Sequence, residues 1–325
     1  AETSDCSIGV VGNNGARSYA NAWISDADLV FYIGTRTDST TTVAWTLPDR
    51  DSPPVSIHLD ISGREIGNTY PSSAMLQGDA GATLEDLLAA IDRPANLRAR
   101  NAERLARLAS ERTTYFERVA ETAASDSQPI KPQRLIAELR DLLDDDAIIV
   151  ADPGTPTPYL SAQYVLRRSG RTTVIPRAYG GLGYAIPGVV GAHFAGQGRR
   201  VVGMLGDGSY GMSVGELETI SRLNLPVVVI QCDNGTYGWI KELQHLYHDK
   251  RYYSVDFNRI DYAMIARGFG IAGFHVEDPA ELHGVLRDAL ESGRPAFVNV
   301  VTEAQMTETP PVATWERTVA AGNSL

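Results

Sequence analysis

An α/β architecture on mostly parallel sheets is the fold class this chain predicts, and three observations point to it. The runs at 200–205 (RVVGML) and 226–232 (PVVVIQC) are strand-sized and nearly continuous in apolar residues. Lacking polar alternation, they read as strands buried on both faces. The apolar runs at 27–34 (ADLVFYIG) and 55–60 (VSIHLD) end in Gly or Asp and give way to polar, loop-like or helical stretches, which is the rhythm of strand–helix alternation. With 325 residues, 43% hydrophobic and 21% charged, the chain is long enough for about two domains, each with its own core.

In chain order, 27–34 and 55–60 are the first two strands. The segment 82–91 (ATLEDLLAAI) is a helix with Thr83 as its N-cap. Residues 95–122, rich in Arg, Glu, Ala and Leu, read as one long solvated helix. Ser125 to Pro132, with its Ser, Asp, Gln and two prolines, breaks the pattern as an interdomain linker. The second half alternates more clearly. A helix at 133–143 leads to a strand at 147–151 (AIIVA) and another at 172–175 (TTVI). A glycine-rich helix start at 180–196 precedes the strand 200–205. A helix near 212–223, the strand 226–232, a helix near 259–269 and the strand 296–301 (AFVNVV) follow. This half has the pattern of a doubly wound parallel-sheet domain.

Bulk properties narrow the function. The formal net charge is −11 with no Lys/Arg block, so the footprint of a nucleic-acid binder is absent. Only Cys6 and Cys232 occur, in no ligand-spaced pair, as in a reduced cytoplasmic protein. The apolar runs are too short to span a bilayer. The opening Ala-Glu-Thr-Ser-Asp has no basic segment followed by an apolar one, so no secretory signal is expected.

The chemistry gathers at two strand ends. Strand 200–205 runs into Gly206-Asp207-Gly208-Ser209 as a helix begins. Glycine lets the backbone turn sharply and approach a ligand, and the amides of Gly208 and Ser209 would face an anion at a helix N-terminus. The next strand ends in Asp233-Asn234-Gly235-Thr236. Parallel strands joined by one helix are commonly neighbours, and open α/β sheets bind ligands at their carboxyl ends. Asp207 and Asn234 should therefore meet, giving a carboxylate, an amide oxygen and a nearby carbonyl. Such hard oxygens suit Mg²⁺, which fills its remaining positions with phosphate oxygens and water.

With Gly206-Asp207-Gly208, a 24-residue spacer and Asp233-Asn234, the chain resembles the acetolactate synthase-like branch of the thiamine diphosphate-dependent enzymes. The resemblance implies thiamine diphosphate and Mg²⁺ as cofactors, with Asp207, the Asn234 side chain and the Thr236 carbonyl holding the metal. It adds Tyr237 and Gly238 to the cofactor-binding residues. Asp233 stands where the family usually has a first Asn. Asp152-Pro153-Gly154-Thr155-Pro156-Thr157 matches a diphosphate-contacting loop, giving Gly154, Thr155 and Thr157, where the large synthases carry Gln and His. Gly180-Gly181-Leu182-Gly183-Tyr184 matches the pyrimidine-ring segment, with the Gly180 carbonyl meeting the 4'-amino group and Leu182 forcing the cofactor's bend. Trp239, Ile240 and Leu243 align with pocket-shaping residues facing the reactive carbon.

The first half resembles the later part of the family's Rossmann-like central domain, through Gly9–Ala22, Arg36 and His58-Leu59-Asp60-Ile61. The expected organisation is therefore a partial central domain (1–93), a helical connection and linker (94–128) and a diphosphate/Mg-binding domain (129–325). The acidic and aromatic residues of flavin-binding members do not accompany Arg36, so FAD is not expected. The family forms its cofactor ylid with a glutamate of the pyrimidine-binding domain, which has no counterpart here. The resemblance thus implies a partner chain with that domain and the start of the central domain, in an α2β2 or larger assembly acting on a small 2-oxo acid by decarboxylation or carboligation.

Other readings are a non-catalytic, cofactor-binding regulatory subunit and a serine hydrolase. Gly211-Met212-Ser213-Val214-Gly215 fits a nucleophile elbow, with Asp261 and His275 downstream. A true elbow directly follows its strand, and here Gly206–Ser209 already occupies that turn. His245 and His248 lack suitably spaced partners for zinc, and Asp144-Asp145-Asp146 reads as a solvated loop.

Overall fold

The computed structural model describes residues 2–92 and 94–322, which divide into two units. The first unit, Asp5–Tyr115 with Val312–Thr314, opens with α1 (Ser18–Ser25). Three strands, β1 (Leu29–Ile33), β2 (Val55–Asp60) and β3 (Ala74–Gln77), form a parallel sheet in that order. Helix α2 (Ala80–Ala90) starts earlier than expected. Its cap is Asp79, not Thr83: Asp79 has extended backbone and its carboxylate accepts from the Ala82 amide, while Thr83 lies inside the first turn. The long helix expected over 95–122 is two, α3 (Leu97–Arg100) and α4 (Ala102–Ala123). Asn101 divides them, its amide donating to the Leu97 carbonyl at 2.8 Å and so competing with helix continuation.

The second unit comprises Phe116–Pro311 with residues 2–4 and 315–322. Within the break at 125–132, Ile130 is fully buried and pairs in parallel with Thr302. The elements that follow are α5 (Pro132–Leu142), β4 (Ile148–Ala151), α6 (Pro156–Gln163), β5 (Thr173–Val174), α7 (Ala185–Ala195) and β6 (Val201–Gly206). Next come α8 (Asp207–Ser213), a 3-10 turn at Val214–Glu216, α9 (Leu217–Arg222), β7 (Val227–Asp233), α10 (Gly238–Tyr247) and α11 (Tyr262–Gly268). The last are β8 (Ala272–Val276), α12 (Pro279–Glu291), β9 (Ala296–Val301) and α13 (Ala313–Ala320).

The six strands are parallel throughout, in the order β5-β4-β6-β7-β9-β8. Alternate side chains of each central strand enter opposite cores. Ile149, Met204 and Ile230 pack with Leu139 of α5, Leu160 of α6 and Leu286 of α12 on one face. Val150, Leu205 and Val229 pack with Ile186 of α7, Leu217 of α9 and Ala266 of α11 on the other. Burial on both faces is why these strands show no polar alternation. No helix among the described residues is long and apolar enough to cross a membrane.

Candidate active site

β6 and β7 lie side by side, with Gly206 opposite Cys232, so their carboxyl tips and the turns beyond them share one end of the sheet. Asp207 follows β6 directly and opens α8. Its Oδ1 accepts from the Gly208 amide at 2.8 Å, and its Oδ2 accepts from the amides of Asn234 and Thr236, each at 3.2 Å. One carboxylate thereby ties the two strand tips together. Burial, with a contribution from the charge of Asp233, pushes this carboxyl up to about 7. A divalent cation alongside would hold it ionised.

Asn234 supplies the test of fit. Both atoms of its side-chain amide are buried without a hydrogen-bond partner, an arrangement that costs roughly 1–3 kcal/mol per group. Its oxygen, the Asp207 carboxylate and a backbone carbonyl form the hard donor set that Mg²⁺ takes together with phosphate and water. Among the described residues no group of three His, Cys, Asp or Glu side chains could hold a metal, so a cation here would rely on these mixed oxygens. Asp233 turns away: its Oδ2 accepts from Asn299 Nδ2 at 2.9 Å, because adjacent residues at a strand end face opposite sides.

The loop after β7 is braced from behind. Thr236 Oγ1 donates to the Val255 carbonyl at 2.6 Å, the Tyr237 amide donates to the same carbonyl at 2.8 Å, and the Phe257 amide donates to Gly235 at 2.9 Å. Tyr237 lies against Gly208 so closely that a methyl group there would sit 2.4 Å from its ring. Glycine is the residue that lets these two turns meet.

Above this floor opens a cavity of about 320 Å³. It gathers all the residues expected to touch cofactor or substrate except Thr157, Asn234 and Leu243. Thr157 is buried on α6 and donates its hydroxyl to the Asp152 carbonyl. Leu243 faces a neighbouring hollow with Gln244, His248 and Arg251. Trp239 forms part of the wall, its ring centroid 4.4 Å from that of Trp315.

Two residues of this region take parts that the sequence reading did not assign. Asp152, wholly buried after β4, accepts from the amides of Gly183 and Ala185 at 2.9 and 2.7 Å. It pins the end of the Gly180–Tyr184 loop to the start of α7, and burial raises its carboxyl above the usual range. An acid at the end of a buried strand, as at Asp207, was the available signal. Arg177 lines the cavity and donates to the Pro153 carbonyl at 3.3 Å; no sequence pattern marked it.

The hydrolase set does not assemble. Ser213 Oγ has no hydrogen-bond partner. Asp261 caps α11 through the Met264 amide, and His275 bonds Asn299 and Glu277. His245 pairs with the Tyr252 hydroxyl at 2.6 Å.

Residues 153–300 match the model of the C-terminal TPP binding domain of thiamine pyrophosphate enzymes, and residues 1–87 match their central domain. The chain is 27% identical over 318 residues to a probable acetolactate synthase large subunit of Methanocaldococcus jannaschii, covering 93% of this chain and 51% of that protein. It is 30% identical over 302 residues to the acetolactate synthase large subunit of Parasynechococcus marenigrum, covering 92% and 47%. A probable sulfoacetaldehyde acetyltransferase of Rhizobium meliloti is 28% identical over 323 residues, covering 93% and 54%. The chain thus spans about half the length of the curated relatives it matches.

Proposed function

Because the chain belongs to the thiamine pyrophosphate enzymes, in an acetolactate synthase-like family, we propose that it holds thiamine diphosphate and Mg²⁺ for decarboxylation or carboligation of a 2-oxo acid. One observation carries this reading. The Asp207 carboxylate reaches across to the loop bearing the unpartnered Asn234 amide, at the tips of adjacent parallel strands.

In this reading Asp207, the Asn234 oxygen and the Thr236 carbonyl hold the cation, while Thr155 and the amides of Gly208 and Ser209 hold the diphosphate. Tyr237 and Gly238 close the diphosphate end. Gly180 offers its carbonyl to the pyrimidine, and Leu182 supports the bent cofactor. When bound, the cofactor supplies a nucleophilic carbon and an electron sink. Trp239 and Ile240 present apolar surface to the reacting centre and exclude water, lowering the local dielectric. Asp152 keeps the pyrimidine loop in register with α7.

Among the described residues, Asp207 is the sole acid lining the cavity. We therefore assign the activating carboxylate to a partner chain carrying a pyrimidine-binding domain, in an α2β2 or larger assembly. Exposed apolar side chains at the mouth, Leu182 at 41% and Ile240 at 48%, support a covered rim. The two cysteines, Cys6 and Cys232, are not joined in a disulfide, which supports a reducing, cytoplasmic setting.

Calorimetry with thiamine diphosphate and Mg²⁺ tests the site. Asp207→Ala is expected to lose metal-dependent cofactor binding while its circular-dichroism spectrum stays unchanged. Undiminished affinity in that variant would overturn the assignment. A panel of 2-oxo acids offered to the natively purified complex tests the reaction, and bound cofactor without turnover there would leave a regulatory subunit.

A further inference from the structure

Gln305 follows β9 on the segment that returns past the tip of β7, where the Thr302 amide donates to the Asp233 carbonyl at 2.8 Å. It is 1% exposed, and neither its amide oxygen nor its amide nitrogen has a hydrogen-bond partner. A buried glutamine in that condition is unfavourable, and its neighbours suggest what resolves it. Gly238, the first residue of α10, marks the place. A methyl group there would sit 2.9 Å from Asn234 Nδ2, 2.9 Å from Gln305 Oε1 and 3.0 Å from Thr155 Oγ1. Side chains from the loops after β7, β9 and β4 thus converge on one point, and glycine leaves the room for them.

The polarity of this convergence matters. The oxygen and nitrogen ends of an asparagine amide have nearly the same shape, yet only the oxygen can bind a cation. Which end faces the cation is set by whatever partner the other end finds, as the second ring nitrogen of a metal-bound histidine is set by its acceptor. At Asn234 the nitrogen faces the point that Gln305 Oε1 also faces, a donor opposite an acceptor.

We infer that Gln305 is a positioning residue of the cation site: with a cation bound, its Oε1 would accept from Asn234 Nδ2, now unpartnered, and so commit Asn234 Oδ1 to the metal. The inference rests on the proposed cofactor site and adds a residue to it from outside both strand-end turns. It also accounts for the buried, unpartnered amides of Asn234 and Gln305 together. Thr155 Oγ1, at the same point, can accept from the same nitrogen, so the test includes it.

The experiment measures Mg²⁺ affinity at saturating thiamine diphosphate, by calorimetry on the natively purified complex, with melting of the cofactor-free protein alongside. Gln305→Met, which keeps length and removes the acceptor, is expected to weaken Mg²⁺ about 10-fold or more. Gln305→Glu, which keeps an acceptor oxygen, is expected to bind Mg²⁺ at least as well as wild type. Thr155→Val is expected to weaken Mg²⁺ less than Gln305→Met. Should Gln305→Met not fold, Gln305→Asn, which withdraws the acceptor by one methylene, carries the same expectation. Wild-type Mg²⁺ affinity in the acceptor-less variant overturns the inference, as does a loss matched by Gln305→Glu, or a larger loss in Thr155→Val. Absence of metal-dependent cofactor binding in the wild type would instead remove the site itself, and this inference with it.

Discussion

Glu242 shows how far one buried group can tilt the stability of this protein. It lies on α10 at 1% exposure, its Oε2 has no partner, and burial pushes its carboxyl up to about 7. A folded-state value above the unfolded one means the native state binds the proton more tightly. The native state is therefore favoured below the ordinary carboxylate range and loses that advantage as pH rises through about 7. Glu242→Gln removes the titration, so it should stabilise the second unit at pH 8 by about 2 kcal/mol and change little at pH 5. Thermal melts at the two pH values check this; an equal shift at both would mean the carboxyl is not the cause. The same scale shows what the sequence made legible. Asp207, Asn234 and Thr236 were identifiable because each ends or follows a buried strand next to glycine. The turning of Asp233 towards Asn299 was not, since it depends on side-chain direction at the strand tip. Nor was Gln305, whose neighbours arrive from segments distant in sequence.

Among the elements, strands were legible wherever both faces are buried. β4, β6, β7 and β9 stand out as Val/Ile runs, whereas the edge strand β8 pairs only with β9 and includes a half-exposed His275. Helix α6 was hidden by two prolines, which are tolerated because Pro156 and Pro158 occupy its first turn, where amide protons lack intrahelical partners. α8 offers a sharp internal comparison. Gly208 and Gly211 both lie on it, yet a methyl at Gly208 would meet the Tyr237 ring at 2.4 Å while one at Gly211 would meet nothing within 4 Å. Gly208→Ala should therefore destabilise the unit by about 1–3 kcal/mol and weaken cofactor binding. Gly211→Ala should stabilise it by about 0.5–1 kcal/mol through helix propensity. Chemical denaturation of the two variants decides: if both behave alike, the close approach of Tyr237 to the diphosphate turn is not what holds α8 in place.

At the scale of the molecule, the cavity lining is the observation on which the two-chain proposal rests. Asp207, Gly208, Ser209 and Thr236 line the cavity with polar groups, and Leu182, Trp239 and Ile240 with apolar surface. Among the described residues the lining holds one acid, Asp207, which in the proposed site the cation would occupy, leaving the proposal to place the proton-moving carboxyl on a partner. Apolar side chains by the cavity are exposed: Leu182 and Ile240 line it, and Tyr179, next in sequence to the lining Gly180, is 98% accessible. Exposed apolar patches next to a cofactor cavity are covered in a working assembly. Native mass spectrometry of the complex captured through this chain should therefore show a second polypeptide in equal number, whose pyrimidine-binding domain supplies a glutamate. That glutamate's substitution by glutamine should abolish turnover while leaving Mg²⁺-dependent cofactor binding intact, because the proposed cation ligands all lie on this chain. Full turnover by this polypeptide without a companion would show that the missing proton-transfer group lies within it, and would end the two-chain proposal without disturbing the Asp207–Asn234 cation site.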